Sequence, residues 1–286
     1  MRLAWPLLVL ALAATGSPAE GFDAVWGRAI LWQVGDNVAV VAAAREEIIA
    51  MGEDAVPLVM ARLGAASTLE LRALRAVVPA IGEPFVEPLL EVVKNGEGQR
   101  LATAIELLRR LEAPAVMDVV AARWPGGLPY GASGREAMAA AAAFGRVDMV
   151  STIAGALAGC DRDGVAAAQA LGGLEDAASG AALAAAATGP CPLTRYAAVA
   201  ALGRLGRLEW LPHSGRARAR ALGLMDGGRA RRALRQMLAD DDWRVRLDVA
   251  LALRPESVSD RTAARRARRG EEHPAVAYRL DSVLAG

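Results

Sequence analysis

A motif returns about every thirty residues along this 286-residue chain, and it limits the fold to a stack of similar units. Each copy reads as a short apolar helix, a break, and a second helix that opens on arginine and closes on glycine. Asp54-Ala-Val-Pro-Leu-Val and Pro84-Phe-Val-Glu-Pro-Leu-Leu each follow a Gly-Glu, Pro114-Ala-Val-Met-Asp-Val-Val comes one residue after a Leu-Glu, and each begins a unit. One unit of this size cannot bury its own apolar face. Stacking on neighbours does so, which is the logic of a solenoid.

Composition fixes the kind of unit. Hydrophobic residues make up 54% of the chain and aromatics only 4%, and alanine runs such as 139–143 and 184–187 recur. Alanine is the best helix former, and few β-branched or aromatic residues compete with it, so the chain is expected to be all-α. A helix over 38–51 is expected to follow an N-terminal capping segment at 20–37 that carries Trp26 and Trp32. Helix pairs then fall at 54–83, 84–113, 114–147, 148–176 and 177–206, with two more at 228–256 and 259–285. The second helices show the spacing of a buried face, as in Leu71, Leu74, Val78 and Ile81, or Tyr196, Val199, Leu202 and Leu205. Gly82, Gly145, Gly173, Gly206 and Pro255 are the expected stops.

The best copies are the segment from Leu193 to Gly206, LTRYAAVAALGRLG, and that from Asp240 to Leu253, DDDWRVRLDVALAL. On these residues the chain resembles the HEAT-repeat family, of the short-unit type also seen in phycobilisome-lyase-like proteins. The resemblance covers about 38–285 and implies an α-solenoid of about seven to eight stacked antiparallel helix pairs. It also implies a ladder, in which an aspartate of the turn within a repeat meets an arginine about six residues later; Asp240 and Arg246 fit. Asn95 and Arg100 are one residue closer, and the helix at 162–176 lacks the arginine. The rhythm fails between Gly206 and Gly227, where arginine-headed helices are 51 residues apart (Arg195 to Arg246). That stretch, 207–227, reads either as an irregular binding insertion carrying Trp210, Pro212 and His213, or as a degenerate repeat with a single helix from Arg216 to Met225.

Chemistry has little to work with. Only His213 and His273 are present, and no H-E-x-x-H, G-x-S-x-G or Walker loop occurs, so no catalytic, metal or cofactor site is assigned. The Gly-rich stretch Pro125 to Gly131 follows a helix and reads as a turn. Cys160 and Cys191 lie 31 residues apart, about one period, and equivalent positions of stacked repeats are neighbours. A disulfide is expected in an oxidising compartment, with two buried thiols as the alternative.

The first nineteen residues carry Arg2, the apolar run Leu3 to Ala14 and the small residues Ser17-Pro-Ala19, the pattern of a secretory signal peptide at 1–19 rather than a membrane anchor. A bacterial periplasm, or secretion from the cell, is the expected location. Charge then divides the rest of the chain: 20–200 holds 14 basic and 21 acidic residues, whereas 201–286 holds 18 and 11. The basic end includes Arg229, Arg231, Arg232, Arg235, Arg265, Arg266, Arg268 and Arg269. It reads as a solvated face or as a surface for an acidic protein or anionic lipid; export disfavours nucleic acid. The expected function is a non-enzymatic scaffold or adaptor that binds another protein on the concave face implied by the resemblance. Arg75, Arg109, Arg204, Arg207, Trp210, Asp248 and Arg254 are the candidate contacts. A lyase-like accessory for cofactor attachment and a structural envelope subunit are the alternatives.

Overall fold

The computed structural model describes residues 18–64 and 67–286, so the signal-peptide reading lies outside the described residues except at its last two positions. The described residues are 76% helical and include no strand. It divides into two compact units, the first ending at Ala113 and the second running Pro114–Gly286. Within each, helix pairs stack in chain order.

In the first unit α1 (Pro18–Ala29) pairs with α2 (Asn37–Ala50), α3 (Val56–Met60) precedes α4 (Thr68–Ile81), and α5 (Val86–Asn95) pairs with α6 (Gly98–Arg110). The capping segment is therefore largely a helix. Phe22 and Trp26 stack at 5.8 Å and are buried against α2, whereas Trp32 is 63% exposed, with Arg72 over its ring. Ser67 starts α4 by accepting from the Leu69 N–H, relieving one of the helix's orphan donors. Val59, Leu74, Val78, Leu89, Ile105 and Leu108 fill the core. Each fully buried side chain of this size contributes about 1.5–3 kcal/mol.

The second unit continues with α7 (Ala115–Arg123) and α8 (Ala132–Ala143), then α9 (Val150–Gly155) and α10 (Arg162–Leu174), and then α11 (Ala177–Ala187) and α12 (Pro192–Leu205). A single 3-10 turn over Leu208–Trp210 precedes α13 (Gly215–Gly223). The last pairs are α14 (Gly228–Gln236) with α15 (Trp243–Ala252), and α16 (Val258–Arg268) with α17 (Pro274–Ala285). The second helices α8, α10, α12, α13, α15 and α17 pack one on the next.

The stretch 207–227 is thus not an irregular insertion. It is a shortened repeat whose first helix has shrunk to one turn and whose second helix, α13, fills a regular place between α12 and α15. Small residues let these second helices approach. A methyl added at Gly172 would lie 2.8 Å from the Ala201 side chain, at Gly203 2.7 Å from Leu224, and at Gly223 2.7 Å from Ala252. The richness in alanine and glycine is a close-packing device as well as a helix signal. Gly173 likewise faces Ala142 inside α10 rather than stopping it; Glu175 ends that helix in the left-handed conformation.

Candidate functional site

The turns within repeats are built around arginine. In the turn before α15, Asp242 caps the helix by accepting from the Arg244 N–H at 2.9 Å. Arg246, one turn into the helix, reaches back to donate to the main-chain carbonyls of Asp240 at 2.8 Å and Asp241 at 3.0 Å. Its other nitrogens donate to the Glu271 carboxylate of the next repeat at 2.7 and 2.9 Å. The expected pair of Asp240 and Arg246 is therefore present, but the acceptor is the backbone. The Asp240 carboxylate instead accepts from the Asp242 N–H. The same six-residue reach recurs from Arg195 to the Gly189 carbonyl and from Arg218 to the Pro212 carbonyl. Arg218 shows that the shortened repeat keeps the device. Beside this turn His273 stacks flat on Trp243 at 3.8 Å.

A second set of contacts ties carboxylates to arginines about one repeat away. Glu106 accepts two bonds from Arg75 at 2.7 and 2.9 Å and one from Arg110 at 3.0 Å. Asp163 accepts from Arg135 at 2.6 Å and from the Gly131 N–H at 2.7 Å, so the Gly-rich turn after α7 serves as a socket. Asp248 accepts from Arg216 at 2.7 Å and from Arg220 at 3.2 Å. Asp260, fully buried, is held by Arg231, by Arg235 at 2.8 Å and by the Arg254 N–H at 3.0 Å. Burial pushes Glu106, Asp163 and Asp260 towards the neutral acid, yet their hydrogen bonds outweigh it and hold all three below the usual carboxylate range. At Glu271 the Arg246 hydrogen bonds dominate in the same direction.

This ladder removes two residues from the expected contact set. Arg75 is engaged with Glu106, and Asp248 is 7% exposed with its carboxylate taken by two guanidinium groups. Arg109 is half-buried near the end of α6, in the first unit, away from the remaining candidates in the chain order. Tyr196, expected in the core, is 51% exposed; Arg220 lies 4.8 Å from its ring and, by hydrogen bonding, lowers its phenol pKa.

Arg204, Arg207 and Arg254 come together. The ends of α12 and α13 and the start of α14 enclose a cleft of about 650 Å3, whose charged lining is Arg204, Arg207 and Arg229 with Glu209 and Asp226. Arg254 reaches into this region from the end of α15 to pair with Asp226. Arg204 and Arg207 are exposed and make no ion pair among the described residues, so the cleft is basic on balance. Trp210 is not a free anchor. It is half-buried on α11, where Gly180 leaves room for its indole, and Arg207 stacks 5.8 Å from its ring. The basic end is also less free than its composition suggests, since Arg231, Arg235 and Arg268 are paired with Asp260 and Asp281.

Cys160 and Cys191 form a disulfide with Cα atoms 5.2 Å apart. Helix axes pack about 8–10 Å apart, too far for a bridge. The bond joins the turn before α10 to the N-cap of α12, and Thr194 reinforces the joint by donating to the Gly159 carbonyl at 2.6 Å. Among the described residues no helix is long and apolar enough to cross a membrane, and no three His, Cys, Asp or Glu side chains are grouped to hold a metal. No protein-family model and no curated protein matches the chain.

Proposed function

We propose that the chain is a non-enzymatic, exported adaptor of HEAT-like repeats that binds another protein through the basic cleft at the ends of α12 and α13. The observation that carries this reading is the convergence of Arg204, Arg207 and, through Asp226, Arg254 on one cleft of about 650 Å3. Arg204 and Arg207, exposed and without an ion pair among the described residues, are available to carboxylates, which guanidinium groups bind in bidentate fashion. The close-packed second helices hold them on a rigid support, so little ordering is lost on binding. The disulfide supports an oxidising compartment, in keeping with the signal-peptide pattern at the N-terminus.

The test is crosslinking capture from periplasmic extract followed by mass spectrometry. The wild-type protein is expected to recover a defined partner, and Arg204→Glu, Arg207→Glu and Arg254→Glu together are expected to reduce that recovery at least tenfold with far-UV circular dichroism unchanged. Equal recovery by the folded variant would overturn the reading.

A further inference from the structure

The first helices of the last two repeats carry a different surface. α14 and α16 are first helices of consecutive pairs; α16 packs chiefly on α17 and also touches the 3-10 turn Met237–Ala239 that ends α14. The gap beside that turn is a groove of about 580 Å3. Leu238, Ala263 and Ala267 supply its apolar part, Arg232, Arg235 and Arg266 its charge, and no carboxylate lines it. α14 contains no acidic residue and α16 only Asp260, which is buried and already held by Arg231 and Arg235. Arg232 and Arg266 are exposed and have no ion pair among the described residues; the same holds for Arg229, Arg265 and Arg269.

Favourable interaction with the end of a helix explains basic residues in the last turn of α16, but not Arg232 in the middle of α14. Crowded like charges repel until a counter-charge arrives. A flat anionic bilayer would meet the rims of the groove and leave its apolar part unfilled, and a small anion would do the same. A polypeptide segment with carboxylates on either side of an apolar side chain satisfies both chemistries at once. We infer that the groove between α14 and α16 docks an acidic segment of a partner protein, two carboxylates meeting Arg232 and Arg266 and an apolar side chain lying over Ala263. This surface is distinct from the cleft at α12 and α13.

The probes are a fluorescein-labelled dodecapeptide of repeating Glu-Glu-Leu and its Glu-Glu-Gly counterpart, titrated with the purified protein by fluorescence anisotropy. The leucine peptide is expected to bind at least tenfold more tightly than the glycine peptide. Arg232→Glu with Arg266→Glu is expected to weaken it tenfold or more, and Ala263→Trp, which fills the groove, to bring it down to the glycine peptide. Arg204→Glu with Arg207→Glu is expected to bind as wild type, so failure of the first cleft and failure of this groove are separable. Should charge reversal lower the helical signal, Arg232→Gln with Arg266→Gln replaces it with the same expected loss. Undiminished binding by the folded groove variants, no preference for leucine, or binding only to phosphatidylglycerol vesicles would each overturn the proposal.

Discussion

Asp260 is the most heavily committed single residue of the chain. Its carboxylate is fully buried and takes two guanidinium groups and one main-chain N–H, drawing α14, the end of α15 and α16 together. Removing it leaves Arg231, itself 7% exposed, with the Ala252 carbonyl at 3.0 Å as its remaining hydrogen-bond partner among the described residues. A buried pair broken on one side costs about 3–5 kcal/mol, mostly from the charge left behind. Asp260→Ala is therefore expected to lose that much in urea unfolding, with the loss confined to the second unit. Glycines give a sharper contrast of sign. A Cβ at Gly164 would lie 2.2 Å from the Gly159 carbonyl oxygen and 2.5 Å from Thr194 Oγ1, and backbone cannot yield as a side chain does. Gly164→Ala is expected to cost about 1–3 kcal/mol. Gly155, in α9, has nothing within 4 Å of the same atom, so Gly155→Ala is expected to gain about 0.5–1 kcal/mol from helix propensity. Two melting curves of opposite displacement check the pair.

At the scale of elements, the disulfide clamps one turn to the next rather than helix to helix. In the chain-entropy model a loop of 31 residues contributes about 3–4 kcal/mol,. Cys160→Ser with Cys191→Ser is expected to raise hydrogen exchange in α10, α11 and α12 while leaving α2, α4 and α6 unchanged. Equal exchange in α10 through α12 would show that the ties of Thr194 and Asp163 suffice. The helix pairs were legible in the sequence because their apolar spacing and stop residues repeat, and so was the arginine six residues beyond the turn. Its acceptor was not, since a carboxylate and a carbonyl at Asp240 occupy the same sequence position and only geometry separates them. The shortened repeat was legible only as a broken rhythm. Its first helix has collapsed to one 3-10 turn, and a single turn carries no period to detect. Tyr196 failed for another reason: its place in the i, i+3 series was right, but a stripe drawn from spacing is wider than the buried stripe, and Tyr196 falls on the edge where Arg220 covers it. Of the candidate contacts, only spatial neighbours tell Arg204 and Arg207, which are unpaired, from Arg75, which is not.

At the scale of the molecule, near-neutral total charge conceals two different uses of arginine. Some guanidinium groups close the ladder between repeats, at Glu106, Asp163, Asp248, Asp260 and Glu271, and others remain exposed on α14 and α16. The two uses respond differently to acid. Glu106, Asp163, Asp260 and Glu271 have folded-state pKa values held below the ordinary carboxylate range. A depressed pKa means that the unfolded chain takes up protons first. Their contribution is thus complete above the unfolded values of about 4 and is lost as pH falls through the lower folded values. Stability is expected to be level from pH 7 to 5 and to fall below about pH 4, more steeply in the second unit, which holds three of these four carboxylates. Asp260→Asn, less stable at pH 7, should show a shallower fall, because it no longer binds a proton on unfolding at that position. Exposed arginines on α14 and α16 keep their charge throughout, so Arg232→Gln with Arg266→Gln is expected to shift the whole curve without altering its slope. Urea midpoints at pH 7, 5, 4 and 3 separate the cases, and an unchanged slope in Asp260→Asn would show that the ladder is not what acid dissolves.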